Sequence, residues 1–266
     1  LSGIIDRFYQ QLNRLIVGKF FPAKELGLYT RAEQFQSLPA QSISGALTSF
    51  LLPIFSKMQN EPQRMKNAAK KVLKIVMFFN INAMILMAIL AAPLINVLLG
   101  DRWNGTVPYL QLLVFVGILY PMHLINVQIL AALGRSDLFL KIEILKKIVG
   151  IPAILLGIFI GIKAMILGMI VTSIIALAIN TNYTKKLINF GISEQIKSIA
   201  KSFLIAFVLV ITLAPLVYFI PPQLNQIIVL LLISVLGFVI VLFSSKAMKM
   251  EEYYEIKDIV ISFTKA

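Results

Sequence analysis

Residues 26–56 read LGLYTRAEQFQSLPAQSISGALTSFLLPIFS, and the fold depends on what this stretch is. It is long enough to cross a membrane, yet it carries Arg31, Glu33, Gln34, Gln36 and Gln41, with Pro39 near its middle. A segment with this many polar groups is either a loop or a helix lining a water-filled path within a bundle, because lipid satisfies none of them. The surrounding chain supports a helix. It is 59% hydrophobic and only 14% charged, with a mean hydropathy of +0.87. Soluble domains lie near half apolar and a quarter charged, so the composition is that of an integral membrane protein.

The apolar blocks are far longer than barrel strands, which alternate over about 10 residues. The expectation is therefore an all-α integral membrane protein with about eight transmembrane helices. The spans are Ile4–Phe21, Leu28–Phe55, Val72–Leu99, Val107–Leu133, Ile142–Ile160, Met165–Tyr183, Phe203–Ile220 and Ile227–Phe243, each near the roughly 20 residues that a crossing requires. Turn and charge signals separate them, among them Pro22, Gly100-Asp101, Gly134-Arg135, Gly161 and Pro221-Pro222. The tail Lys246–Ala266 has apolar residues at helical spacing and reads as an amphipathic cytoplasmic helix on the membrane or on the protein. The chain opens on Leu1 and is read as part of a longer protein.

The net charge of +13 could suggest nucleic acid, but its distribution points elsewhere. With eight spans, 18 Lys and Arg fall in loops on one side and 5 on the other, leaving Arg7 and Arg14 inside the first span. Such a bias assigns the rich side, and both ends of the chain, to the cytoplasm. It also requires 26–56 to cross, since otherwise every later loop would change side. Cysteine is absent, which excludes disulfides and thiolate metal sites.

Polar residues inside the spans are the candidate site. Arg7, Gln10, Gln11 and Arg14 recur at steps of three and four and share one helix face, while Arg31, Gln34 and Gln41 form a comparable stripe in the second span. An arginine within lipid costs from about 3 to over 10 kcal/mol unless water, a carboxylate or an anion satisfies it. Arg7 and Arg31 are close enough to span ends to reach headgroups instead. Glu143, with Lys146 and Lys147 at i+3 and i+4, reads as an ion pair. Pro121 should kink its helix and free a carbonyl. His123 either packs or titrates. Asn80, Asn82, Gln111 and Gln128 bond between helices or line a cavity. No nucleophile–base pair, metal-ligand spacing or phosphate-cradling glycine loop is present, so a transporter without cofactor is expected rather than an enzyme.

The run from Asn13 to Ala32, Asn-Arg-Leu-Ile-Val-Gly-Lys followed by Phe-Phe-Pro-Ala-Lys-Glu-Leu-Gly-Leu-Tyr-Thr-Arg-Ala, resembles the polysaccharide exporters of the Wzx type. Leu38-Pro39 and Leu52-Pro53-Ile54-Phe55-Ser56 extend the likeness. These exporters belong to the multidrug/oligosaccharidyl-lipid/polysaccharide flippase superfamily. The resemblance implies a two-lobe flippase of the bacterial cytoplasmic (inner) membrane, working by alternating access. Residues 1–184 would supply the C-lobe helices, 185–245 a linker and two appended helices, and 246–266 the cytoplasmic tail. The implied substrate is an undecaprenyl-pyrophosphate-linked oligosaccharide of polysaccharide or lipopolysaccharide biosynthesis, with membrane lipids and other polysaccharide-assembly proteins as partners and no nucleic acid. Many relatives carry an acidic residue where Asn13 stands, which argues against carboxylate-based ion coupling at that position.

A cation-lined, carboxylate-poor interior independently suits a pyrophosphate better than a cationic drug. The alternatives are an exporter of another substrate in the superfamily (a drug or cation antiporter, or a peptidoglycan lipid precursor flippase) and a membrane glycan polymerase. Short outer loops count against the polymerase. Arg14→Ala is expected to abolish glycan export while the protein still reaches the membrane, checked by surface-glycan staining beside a membrane immunoblot.

Overall fold

The computed structural model describes residues 15, 18–221 and 224–255, apart from the side chains of residues 41, 43, 44 and 46. Most of the first expected span and the end of the tail lie outside these. The described residues form helices and turns, with no strand among them. In chain order the helices are α1 (Ala23–Ser56), α2 (Pro62–Ile89), α3 (Ala91–Leu99), α4 (Val107–Ala132), α5 (Ser136–Ile160), α6 (Ile162–Ile188), α7 (Ile192–Phe219) and α8 (Gln226–Ala247), with a 3-10 turn at Asp101–Thr106 between α3 and α4. Among the described residues five segments are long and apolar enough to cross a membrane: α2, α4 with its preceding turn, α6, α7 and α8. Helix α1 and charged α5 are absent from that set, so the count of eight is not reproduced on length and composition.

Two differences from the expected spans have simple causes. The helices α2, α5 and α7 begin well before Val72, Ile142 and Phe203. Helix hydrogen bonding does not stop at the lipid boundary. A 28-residue helix is about 42 Å long, well beyond the roughly 30 Å hydrocarbon core, and its lysine-bearing turns continue outside. The expected span Val72–Leu99 is instead broken at Leu90. Pro93 has no N–H for the Ile89 carbonyl and its ring would clash with it, so α2 ends there and α3 restarts.

Turn chemistry accounts for the other boundaries. After α4, Gly134 at φ 68 closes a Schellman turn, with the Arg135 N–H on the Leu130 carbonyl and the Gly134 N–H on that of Ala131. Gly161, at φ 128, separates α5 from α6 where the sequence signal was weakest.

Helix α4 is the axis of the bundle. It contacts α1, α2 and α6, while α5 pairs with α6, α7 lies along α2, and α8 covers α7 and α3. Lipid tails are as apolar as leucine, so association inside a membrane relies on close packing and internal polar bonds. Both are present. A methyl at Gly168 would stand 2.8 Å from the Ala153 Cα, which shows how closely α5 and α6 approach. Asn126 is fully buried and bonds Gln195 (Nδ2 to Oε1 2.9 Å, Nε2 to Oδ1 2.8 Å), and its Oδ1 also accepts from Thr184 (2.8 Å). That knot joins α4, α6 and α7.

Pro121 lies inside α4, which runs unbroken through it. Lacking an N–H, it leaves the Gly117 carbonyl without its helical donor. Buried Asn80 of α2 supplies one, its Nδ2 standing 3.1 Å from the Gly117 oxygen and 3.1 Å from that of Ile118. Asn80→Leu is expected to cost about 1–3 kcal/mol by stranding that carbonyl. In a Pro121→Ala background, where the N–H returns, the same substitution should cost measurably less. Unfolding of the four proteins of this double-mutant cycle in detergent checks this.

Candidate functional site

Helix α1 buries Leu28, Tyr29, Ala32, Ala40, Leu51 and Phe55 against the bundle. Its other side is open. Exposed positions include 31, 34, 38, 42, 45 and 49, a stripe at steps of three and four occupied by Arg31, Gln34, Leu38, Ser42, Gly45 and Ser49. Toward the C-terminal end exposure widens to take in Thr48, Phe50, Leu52, Pro53 and Ile54. Elsewhere the open helix faces are greasy: Phe207 and Ile211 on α7, Leu231 and Phe238 on α8, and Ile148 and Phe159 on α5. Those faces suit lipid. The α1 stripe does not, and it needs water or another polar surface opposite it.

Arg31 anchors one end of the stripe. Its Nη1 donates to Gln34 Oε1 at 2.8 Å, and its guanidinium carbon lies 5.6 Å from the centre of the Trp103 ring. That contact is a cation–π interaction of about 0.5–2 kcal/mol depending on desolvation. It aligns the cation without neutralising it. The 3-10 turn Asp101–Thr106 holds Trp103 in place, and Tyr109 at the start of α4 donates to the Glu25 carboxylate of α1, tying the two helices together at this level. Further along, Gln128 of α4 donates to Thr48 of α1 at 3.5 Å.

A second polar locus lies within the bundle. A cavity of about 290 Å³ between α4, α5 and α6 is lined by Tyr120, His123, Lys146, Thr172 and Ser173 on an otherwise apolar wall. His123 Nε2 stands 3.1 Å from Ser173 Oγ, and Asn180 Nδ2 stands 3.1 Å from His123 Nδ1. Because an amide N–H donates, this arrangement assigns the imidazole proton to Nε2 and a neutral ring. Lys146 pairs with Glu143 at 2.8 Å, with Lys147 also within 3.8 Å of that carboxylate.

Of the residues picked from sequence, Arg31 and Gln34 share the open face and touch. Arg7, Gln10, Gln11, Arg14 and the side chain of Gln41 lie outside the described residues. The other polar picks resolve individually: Asn80 bonds α4, Asn82 donates to Phe78 of its own helix, and Gln111 donates to the Ala88 carbonyl. Sequence reading missed two features. Trp103 under Arg31 gave only the faint signal of being the sole tryptophan, and Lys146 opening onto the cavity beside His123 gave none, since α5 meets α4 only in space. Among the described residues no group of three or more His, Cys, Asp or Glu could hold a metal ion.

A family model described as "Polysaccharide biosynthesis protein" matches residues 1–108, which include the α1 stripe. The "Lipopolysaccharide biosynthesis protein WzxC" of Escherichia coli (strain K12) is 27% identical over 156 residues, covering 59% of this chain and 32% of that protein. The "Teichuronic acid biosynthesis protein TuaB" of Bacillus subtilis (strain 168) is 28% identical over 137 residues, 52% of this chain and 28% of that protein. The solved "Lipid II flippase MurJ, inward closed conformation" shares the fold, with a TM-score of 0.70 at 19% identity over 90% of this chain and 51% of that one.

Over part of its length the chain is similar to Wzx-type polysaccharide-biosynthesis proteins, and it shares the flippase fold. It spans about a third of the length of the curated relatives it matches. As a multi-pass membrane protein it has an open polar helix face where a soluble protein would simply have a solvated one.

The chain contains no cysteine, so single cysteines can report which faces meet water. Ser42→Cys and Gly45→Cys are expected to react with a membrane-impermeant maleimide after reconstitution, and Leu231→Cys on the greasy side of α8 is expected to stay unlabelled. Equal, negligible labelling of all three would place the stripe in lipid.

Proposed function

We propose that this chain forms the C-terminal part of an exporter that moves an undecaprenyl-pyrophosphate-linked oligosaccharide from the inner to the outer leaflet of the bacterial cytoplasmic membrane. In this reading residues 1–184 contribute the C-lobe, α7 and α8 are appended helices, and the lysine-rich helix ends face the cytoplasm. The α1 stripe carries the reading: an arginine, a glutamine and small hydroxyl residues on one open face of a membrane helix. Arg31, aligned by Trp103 and Gln34 but paired with neither as an ion, attracts a pyrophosphate, and the amides and hydroxyls along the stripe bond to sugar hydroxyls. Arg7, Gln10, Gln11, Arg14 and Gln41 extend the same surface in this scheme. The relatives' names, lipopolysaccharide and teichuronic acid biosynthesis, agree in one respect: each concerns a cell-envelope polysaccharide.

Transport would follow from alternating exposure of that polar surface, with rigid halves rocking about a fixed site. No bond to the substrate forms or breaks.

Deleting the full reading frame in its source bacterium is expected to remove one surface polysaccharide and to leave its lipid-linked repeat unit accumulating in the membrane. An Arg31→Ala/Gln34→Ala variant at wild-type membrane abundance should restore export at no more than about a tenth of the normal rate, the loss of a single charge-assisted contact. Unchanged surface polysaccharide in the deletion strain would overturn the proposal.

A further inference from the structure

The lysine-rich ends of α2 and α7 meet in a cleft of about 300 Å³, where Lys70 and Lys74 of α2 face Lys197 and Lys201 of α7. Three carboxylates, Glu194, Glu251 and the buried Glu252, also line the cleft and leave the lysines in excess. Glu194 takes Lys66 at 2.7 Å and Lys70 at 3.4 Å, and Glu251, in the segment following α8, takes Lys74 at 2.6 Å. Lys201 donates to a backbone carbonyl, that of Met248, at 3.4 Å, and Lys197 has no recorded ion-pair partner among the described residues. Two lysines in the cleft therefore lack an anion.

What stands beyond them along α7 matters as much. Positions 197, 201, 204, 208 and 211 follow helical spacing and are all exposed, and after the two lysines they are Leu204, Val208 and Ile211. Cations at the helix end followed by a greasy ridge match the layout of a phospholipid, phosphate first and acyl chains below. Basic pockets between transmembrane helices on the cytoplasmic side are suited to anionic headgroups.

The segment 251–255 closes over this cleft. Met250 is buried beside Phe78 and Ile205, Glu252 is buried, and Glu255 pairs with Lys71 at 2.8 Å. Lys74 foremost, with Lys201 and Lys70 adding to it, holds the Glu251 carboxyl below the usual glutamate range. It stays ionised at neutral pH and competes for the same lysines. We infer that the cleft between α2 and α7 is a binding site for the phosphate of an anionic phospholipid of the adjacent leaflet, and that the acidic segment 251–255 is its built-in competitor.

The inference does not rest on the transported substrate. It is tested with the full-length protein in nanodiscs of phosphatidylglycerol and phosphatidylcholine, measuring by mass spectrometry how much of each lipid survives delipidation. Wild type should retain phosphatidylglycerol preferentially. Lys197→Gln/Lys201→Gln should lower that preference roughly thirty-fold, from the typical contribution of each lysine at an anionic surface, without changing the melting temperature in pure phosphatidylcholine. Glu251→Gln/Glu255→Gln should raise it. Unchanged preference in the lysine variant, or a fall in the glutamate variant, would overturn the inference. Release of the retained lipid by millimolar inorganic pyrophosphate at constant ionic strength would also overturn it, reassigning the cleft to a soluble or carrier-borne diphosphate.

Discussion

In a membrane interior a carbonyl without a donor has no water to turn to, and the bundle is arranged around one such carbonyl. Pro121 removes the partner of the Gly117 oxygen in the middle of α4, and Asn80 restores it from α2. The bond fixes the register of the two helices at the point where α4 is also pressed by α1. At Gly117 itself the packing is close: an added methyl would lie 2.3 Å from the Gln36 amide nitrogen and 3.0 Å from Met84, so both of these side-chain ends would have to move. Glycine, proline and asparagine thus form one unit spread over two helices, with Gln36 of α1 packed against it. Because α4 contacts α1, α2 and α6, its position sets theirs.

The Asn126 network and the α1 stripe differ in how they are satisfied, and the difference separates structure from function. Asn126, Thr184 and Gln195 bond one another and the Phe190 carbonyl. Networks of this kind rigidify a bundle because every member has a partner. The α1 stripe is left open. Arg31 is held by a ring and an amide, neither of which neutralises it, and a guanidinium held in this way is suited to an anion from outside. Burial of polar groups by itself would not distinguish these cases; partner by partner accounting does.

Helix number and helix end are set by separate forces, which explains where hydropathy misled. Lipid thickness governs how many apolar residues a span contains, so long apolar blocks mark candidate spans along the chain. Hydrogen bonding governs where a helix starts, and the lysine-bearing turns at the beginnings of α2 and α7 satisfy it outside the lipid. Those turns bring Lys70, Lys74, Lys197 and Lys201 together, a cluster that arises only because α7 packs along α2.

Composition, span length and the lysine and arginine bias were enough to identify an all-helical membrane protein. The run from Asn13 to Ala32 carried a resemblance to Wzx-type exporters that the relatives found by comparison share. The stripe with Arg31 and Gln34 was legible too, because residues on one helix face follow from local periodicity alone. Periodicity cannot tell which face a neighbour covers. That Arg31 stacks on Trp103, that His123 and Lys146 share a cavity, that Asn80 completes a carbonyl 37 residues away, and that Glu251 reaches Lys74 all depend on contacts between helices distant in sequence. Such pairings are set by how the helices pack and by the need to satisfy every polar group out of reach of water, conditions that exist only once the bundle has assembled.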